Sequence, residues 1–311
     1  MKRILGWALG VAVLVAAGFA IYVYQTVATL EHEPVTGSVS VIFGLGGNVG
    51  VLQTARGAAL VDTMTFRMQG DGIRQLAEQL TGGEVQLILN THYHRDHTHG
   101  NPAFPVGTRV VATDRTKQLL GIFDADYWKG DAAGTLPNET FSGDHEISLG
   151  GKTIRALQLG PGHTDGDMVV LFVEDRVIHM GDLLFNRRYP NVDLEAGGTI
   201  RGWPDTLDKV LALDFDKVIP GHGPVTDRAG IEQFQRFLRE LWREVDAAAE
   251  AGKSLDETLR SVHLTEDAGY QPIEFFHMFR LDRDFVVRRA WEEATGAVKK
   301  KAEAAATGVR G

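Results

Sequence analysis

Between residues 91 and 97 the chain reads Thr91-His92-Tyr93-His94-Arg95-Asp96-His97, a dense run of imidazole and carboxylate. In an extended loop, residues two apart point the same way, so His92 and His94 can share one cation. Asp96 and His97, where the loop turns into a helix, can face a second. Imidazole and carboxylate without thiolate suit zinc, with iron or manganese as alternatives. Three more candidates follow, each at the end of an expected strand. Gly160-Pro161-Gly162-His163-Thr164 offers an imidazole, Met180-Gly181-Asp182 a carboxylate able to bridge two metals, and Pro220-Gly221-His222-Gly223 a further imidazole. The glycines let the backbone turn tightly and approach the site closely. Singly, a histidine in a Gly-Pro turn is most simply structural, and a solvated polar loop is the plain alternative for the first run.

These residues need a scaffold, and strand and helix periods supply one. Ser38–Phe43 alternates, and Val49–Thr54 and Ala58–Val61 flank Ala55-Arg56-Gly57 as a hairpin. Ile73, Leu76, Ala77 and Leu80 share one face of a helix that Gly82-Gly83 ends. Val85–Leu89 reads as a buried strand running into the histidine run. Strands are expected again at Thr153–Leu159, Met168–Val173, Arg176–His179 and Lys217–Ile219, with a helix at Asp205–Leu213. Beyond Arg228 the pattern turns helical: a stripe from Ile231 to Val245, a helix from Leu255 capped by Ser254, and a last helix from Asp282 to Ala294. Metal-type residues at strand ends are where α/β architectures place their sites.

The chain has 311 residues, 43% hydrophobic and 23% charged, ample for a packed core. A formal net charge of −9 with no basic stripe argues against nucleic acid as a partner. There is no cysteine, which excludes disulfides and thiolate metal sites. After Lys2 and Arg3 no charge appears until Glu31, and Ile4 to Tyr24 is almost wholly apolar, with Trp7, Tyr22 and Tyr24 near its ends. About 20 helical residues cross a hydrocarbon core of roughly 30 Å. A single-pass membrane anchor is therefore expected over residues 1–30, with its N-terminus cytoplasmic and the remainder periplasmic or extracellular. A cleaved signal peptide, with small residues at Gly18-Phe19-Ala20 and Thr26-Val27-Ala28, is the alternative. A polar linker is expected at residues 31–37, a catalytic domain at 38–228, a helical extension at 229–295 and a flexible tail at 296–311.

Taken together, His92-x-His94-x-Asp96-His97, His163, Asp182 and His222 resemble the motif set of the metallo-β-lactamase superfamily, over roughly Ser38 to Val225. The resemblance implies an α/β fold, a four-layer αβ/βα sandwich with the site between two sheets. It implies that His92, His94 and His163 hold one zinc, that Asp96, His97 and His222 hold a second, and that Asp182 bridges them. Asp62, at the tip of a strand, is similar to the family's aspartate that supports the metal loop. A hydroxide shared by the two zincs then attacks a carbonyl carbon, with Asp96 handling the proton. The absence of cysteine and the presence of Asp182 set the chain apart from the main β-lactamase groups; its ligand set looks like that of lactonases and glyoxalase II. Diiron relatives carry a glutamate where His94 stands.

Other residues carry weaker signals. His99 and Thr164 are expected to support the ligands from behind. Arg187, Arg188 and Tyr189 could hold a substrate carboxylate. Phe123, Tyr127 and Trp128, and the aromatic run of Tyr270, Phe275, Phe276 and Phe279, could line the mouth of a site or simply close a core. Three functions follow: hydrolysis of a lactone, ester, thioester or β-lactam small molecule; an iron-dependent oxidoreductase acting on oxygen or sulfur compounds; and a metal-binding protein without catalysis.

Overall fold

The central strands of this chain are apolar on both faces, and each face finds a cover. The computed structural model describes residues 14, 17–19, 21–275 and 279–298. Seven strands form one sheet in the order β1 (Glu31–Pro34), β2 (Val39–Phe43), β3 (Val49–Thr54), β4 (Gly57–Val61), β5 (Val85–Leu89), β6 (Arg109–Thr113), β7 (Glu139–Phe141). Neighbours are antiparallel from β1 to β4 and parallel from β4 to β7. The second sheet holds β8 (Asp144–Leu149), β9 (Lys152–Leu157), β10 (Val169–Phe172), β11 (Val177–His179) and β12 (Lys217–Ile219) in that order, antiparallel except for the β11–β12 pair. A third, two-stranded sheet pairs β13 (Ile273–Phe275) antiparallel with β14 (Phe279–Leu281).

The side-chain period of two sorts each strand between two cores. In β4, Ala59 and Val61 enter the layer between the sheets while Ala58 and Leu60 face outward. In β10, Val170 and Phe172 enter that layer while Val169 and Leu171 face outward. The helix Arg67–Thr81 lays Ile73 and Ala77 over the outer face of the first sheet. Helices Trp203–Leu211, Arg228–Glu250 and Arg283–Thr295 cover the second with Trp203, Phe234, Phe237, Leu241 and Val287. The result is helix, sheet, sheet, helix, as expected for the αβ/βα sandwich.

Parallel pairing brings the chemical residues to one edge. Val61 of β4 pairs with Leu89 of β5, so Asp62 and the loop after β5 leave the sheet together. His179 of β11 pairs with Ile219 of β12, and Asp182 and His222 follow at equal distance from those partners.

Three differences from expectation are informative. Glu31–Pro34, expected as linker, is edge strand β1; its four residues are exposed, and an edge tolerates both charge and a proline lacking N–H. The segment 109–149, where no strand or helix was expected, forms β6, the helix Asp114–Phe123, β7 and β8. The apolar anchor expected over Ile4–Tyr24 lies largely outside the described residues, as do Phe276 and the tail from residue 299. Among the described residues no helix is long and apolar enough to cross a membrane. The expected single-pass membrane localisation, its orientation and the bilayer as a partner are corrected on that finding.

Phe172 is among the largest side chains buried between the sheets. Phe172→Ala is expected to cost about 3–5 kcal/mol in denaturant unfolding, whereas Val106→Ala, at a residue 76% exposed, should stay within about 0.5 kcal/mol. Equal effects would show that the inter-sheet layer does not hold the fold.

Candidate metal centre

Two groups of donors meet at this edge. His92, His94, His163 and Asp182 form one and Asp96, His97 and His222 the other, the donor atoms of each lying within 4.8 Å of one another. Asp182 spans them. Its Oδ2 is 3.8 Å from His92 Nε2 and 3.6 Å from His163 Nε2. Its Oδ1 is 3.2 Å from His97 Nε2 and 3.4 Å from His222 Nε2. Asp96 Oδ2 completes the second group, 3.2 Å from His222 Nε2 and 3.6 Å from His97 Nε2.

The outer nitrogens explain how the rings are aimed. His97 Nδ1 donates to Asp62 Oδ2 at 2.7 Å, His163 Nδ1 to the Asn191 carbonyl at 2.9 Å, and His94 Nε2 to Asp193 Oδ2 at 2.9 Å. His92 Nδ1 lies 3.0 Å from Thr91 Oγ1, whose own proton goes to Asp62 Oδ2 at 2.7 Å. Acceptors behind these four rings fix the proton outside and turn the inner lone pair toward the centre. In those tautomers His94 Nδ1 and His163 Nε2 are both acceptors, yet they stand 2.7 Å apart. His92 Nε2, His97 Nε2 and Asp182 Oδ1 are buried with no hydrogen-bond partner. Buried acceptors crowded in this way are costly unless a cation lies among them. The donor set fits a pair of metal ions.

Without metal, protons must supply the positive charge. Burial opposes charge on His97, but Asp182, Asp96 and Asp62 outweigh it and raise the ring well above its ordinary range. Burial likewise opposes His222, which Asp182 and Asp96 raise to about 9. Burial first, then His97, holds His92 well below its usual value; burial and His94 bring His163 down to about 4. Asp182 keeps its charge against burial because His222, His97 and His92 surround it.

Local backbone makes the approach possible. A Cβ at Gly221 would stand 2.1 Å from Asp182 Oδ1, and one at Gly47 would stand 2.2 Å from His97 Cε1. Asp62 takes a left-handed φ of 66°, a strain of about 1–3 kcal/mol for a residue with a side chain. Its two oxygens hold Thr91 and His97 together, with Thr91 N donating to Oδ1 at 2.8 Å.

The weaker candidates divide. His99 belongs to the cleft wall: its Nε2 pairs with Asp124 Oδ2 at 2.6 Å and its ring stacks on Tyr127 at 3.5 Å. Thr164 binds Asp167, through its N–H at 2.8 Å and its hydroxyl. Arg188 lines the cleft above the donors. Arg187 donates to the Ala268 carbonyl at 3.2 Å and Tyr189 to Asp267 Oδ2 at 2.9 Å, both away from the cleft. Phe123, Tyr127 and Phe279 line it, while Trp128 and Tyr270 are buried. Sequence reasoning missed Asp193, which also accepts from the Tyr93 hydroxyl, and Asn191. Neither carries a local signal, since both act from a loop that only the folded chain brings beneath His94.

A four-layer fold with histidines and aspartates gathered at its strand ends defines a class of metalloprotein. A sequence model of the metallo-β-lactamase superfamily matches residues 42–222, and the chain belongs to that superfamily. It is 27% identical over 232 residues to the 2,4-dinitroanisole O-demethylase subunit alpha of Nocardioides sp., covering 73% of this chain and 66% of that protein. It is 28% identical over 231 residues to the hydroxyacylglutathione hydrolase of Rhodospirillum rubrum, covering 67% and 83%. The stereoselective inverting sec-alkylsulfatase of Pseudomonas sp. shares the fold with a TM-score of 0.69 at 14% identity, over 88% of this chain and 51% of that one. The chain thus spans just under two thirds of the demethylase subunit and about half of the sulfatase.

Gly221→Ala should push the Asp182 carboxylate aside and lower the metal content of purified protein by at least one ion per chain, read by elemental analysis. Gly121→Ala, in a helix where an added Cβ would meet nothing within 4 Å, should leave metal content unchanged and add up to about 1 kcal/mol of stability. Unchanged metal content in Gly221→Ala would refute the close approach.

Proposed function

We propose that the chain is a two-zinc hydrolase acting on a carbonyl substrate: a lactone, ester, thioester or β-lactam. The observation that carries this is Asp182, whose two oxygens face two separate donor groups. His92, His94 and His163 would hold one ion and Asp96, His97 and His222 the other, with Asp182 between them. A zinc pair bound there would supply Lewis acidity and would lower the pKa of a bound water from about 15.7 toward about 7. Asp96 is 35% exposed against 4% for Asp182, so of the two it is the carboxylate that a substrate in the cleft can reach, and against its burial His97 and His222 hold it ionised, well below the usual carboxylate range. Tyr93 and Asp193 keep His94 in its tautomer, and Asp62 does the same for His97.

The cleft over the donors encloses about 1710 Å³, above the roughly 300–1,000 Å³ usual for small-molecule sites. Phe43, Leu45, Phe66, Phe185, Ile273 and Phe279 among others line it. Such walls offer apolar surface to the hydrocarbon part of a substrate, and Arg188 offers a charge for a substrate carboxylate. The name of the hydroxyacylglutathione hydrolase relative agrees with hydrolysis at an acyl carbon. Residues 38–228 would form the catalytic unit and 229–295 its helical extension.

Chromogenic lactones, thioesters and cephalosporins, tested with wild type beside Asp182→Ala, provide the test. At least one class should be turned over, with kcat/KM falling about 1,000-fold or more in the variant, equivalent to roughly 4 kcal/mol. Chelation should abolish turnover and zinc restore it. Turnover that survives both treatments, or tightly bound iron in protein purified without added metal, would overturn the proposal.

A further inference from the structure

The last described helix, Arg283–Thr295, grips the loop that aims two of the donors. Asn191 and Asp193 on that loop are the acceptors behind His163 and His94, each at 2.9 Å. Between them stands Val192, whose carbonyl accepts from Arg289 Nε at 2.9 Å. The terminal nitrogens of Arg289 pair with Glu195 on the same loop, and Nη1 also meets Glu292 at 2.7 Å. Glu293 closes the far end, accepting from Thr199 Oγ1 at 2.6 Å and from Ile200 N at 2.7 Å. The Arg289 side chain is 13% exposed, so its charge is committed to these partners rather than to water. The helix is itself rooted in the core beside the second sheet through Val286, Val287 and Ala290.

We propose that Arg289 and Glu293 are positioning residues for the first metal position, acting through the Asn191–Ile200 loop on His163 and His94. This rests on the two-metal reading above. The second position is served differently, since Asp62 on the first sheet holds His97. The loop also has ties of its own: Ala196 N donates to Asp193 Oδ1 at 3.1 Å and Gly198 N to the Asp193 carbonyl at 2.8 Å. Three backbone bonds join it to the turn that carries His163: Asp193 N to the His163 carbonyl at 3.0 Å, Asp165 N to the Ala196 carbonyl at 3.0 Å and Thr199 N to the Gly162 carbonyl at 2.8 Å. The Arg289 and Glu293 contacts add the hold from the helix.

The test is metal titration of the full chain with zinc and cobalt(II), by competition with a chromophoric chelator and by the visible cobalt spectrum. Wild type should bind two ions. Arg289→Met keeps the apolar stem but removes the fork; one ion should bind as in wild type and the other about 10–100-fold more weakly. Arg289→Lys should recover part of that loss, and Glu293→Gln, which spares the fork, should show a smaller loss at the same position. If Asp193→Ala is made first, Arg289→Met should add less than it does alone, because part of its route is already gone. Full two-site binding in both Arg289→Met and Glu293→Gln would overturn the proposal, as would equal weakening of both positions in step with a lower Tm. Fewer than two ions on wild type would instead refute the two-metal reading, and this proposal with it.

Discussion

The structure turns on a carboxylate that is buried where it is surrounded by imidazoles. Asp182 has one oxygen near His92 and His163 and the other near His97 and His222, and it is almost inaccessible to water. A charge in that position is tolerable only with positive partners, whether protons or metal ions. Much of the surrounding architecture serves that one placement. Parallel pairing of β11 with β12 brings Asp182 and His222 out side by side, and Gly221 leaves room for the carboxylate.

The rings around Asp182 are aimed by two different parts of the fold. Asp62, strained at the end of β4, ties Thr91 and His97 to the first sheet. The loop carrying Asn191 and Asp193 orients His163 and His94, and it is clamped from the helix Arg283–Thr295. The loop therefore serves the first donor group alone, whereas Asp62 serves the second directly and the first through Thr91 and His92. In a site of this kind outer partners set ring orientation and basicity as much as the ligands themselves do.

The seven residues that the fold gathers into two groups could be picked out from sequence because they sit in short Gly-, His- and Asp-rich turns directly after apolar strands. Most helices were legible for a similar reason, since Ile73, Ala77, Phe234 and Leu241 keep the period of a buried face; Asp114–Phe123 was not. Asp193, Asn191 and Arg289 were not legible, because each takes its role from a contact far away in sequence. Strand β1 was hidden because an exposed edge needs no apolar pattern, and a charged Glu-His-Glu run reads as a linker. Of Arg187, Arg188 and Tyr189, adjacent in sequence, only Arg188 lines the cleft. Composition alone could not separate them, since the turn that divides them includes a left-handed residue at Arg187, with φ of 58°.

The most direct measurement is anomalous diffraction from crystals of the full chain grown with zinc. Two peaks should flank the Asp182 carboxylate about 3.5–4 Å apart, one against His92, His94 and His163 and the other against Asp96, His97 and His222. A single peak, or two that do not share Asp182, would contradict the bridged two-metal centre.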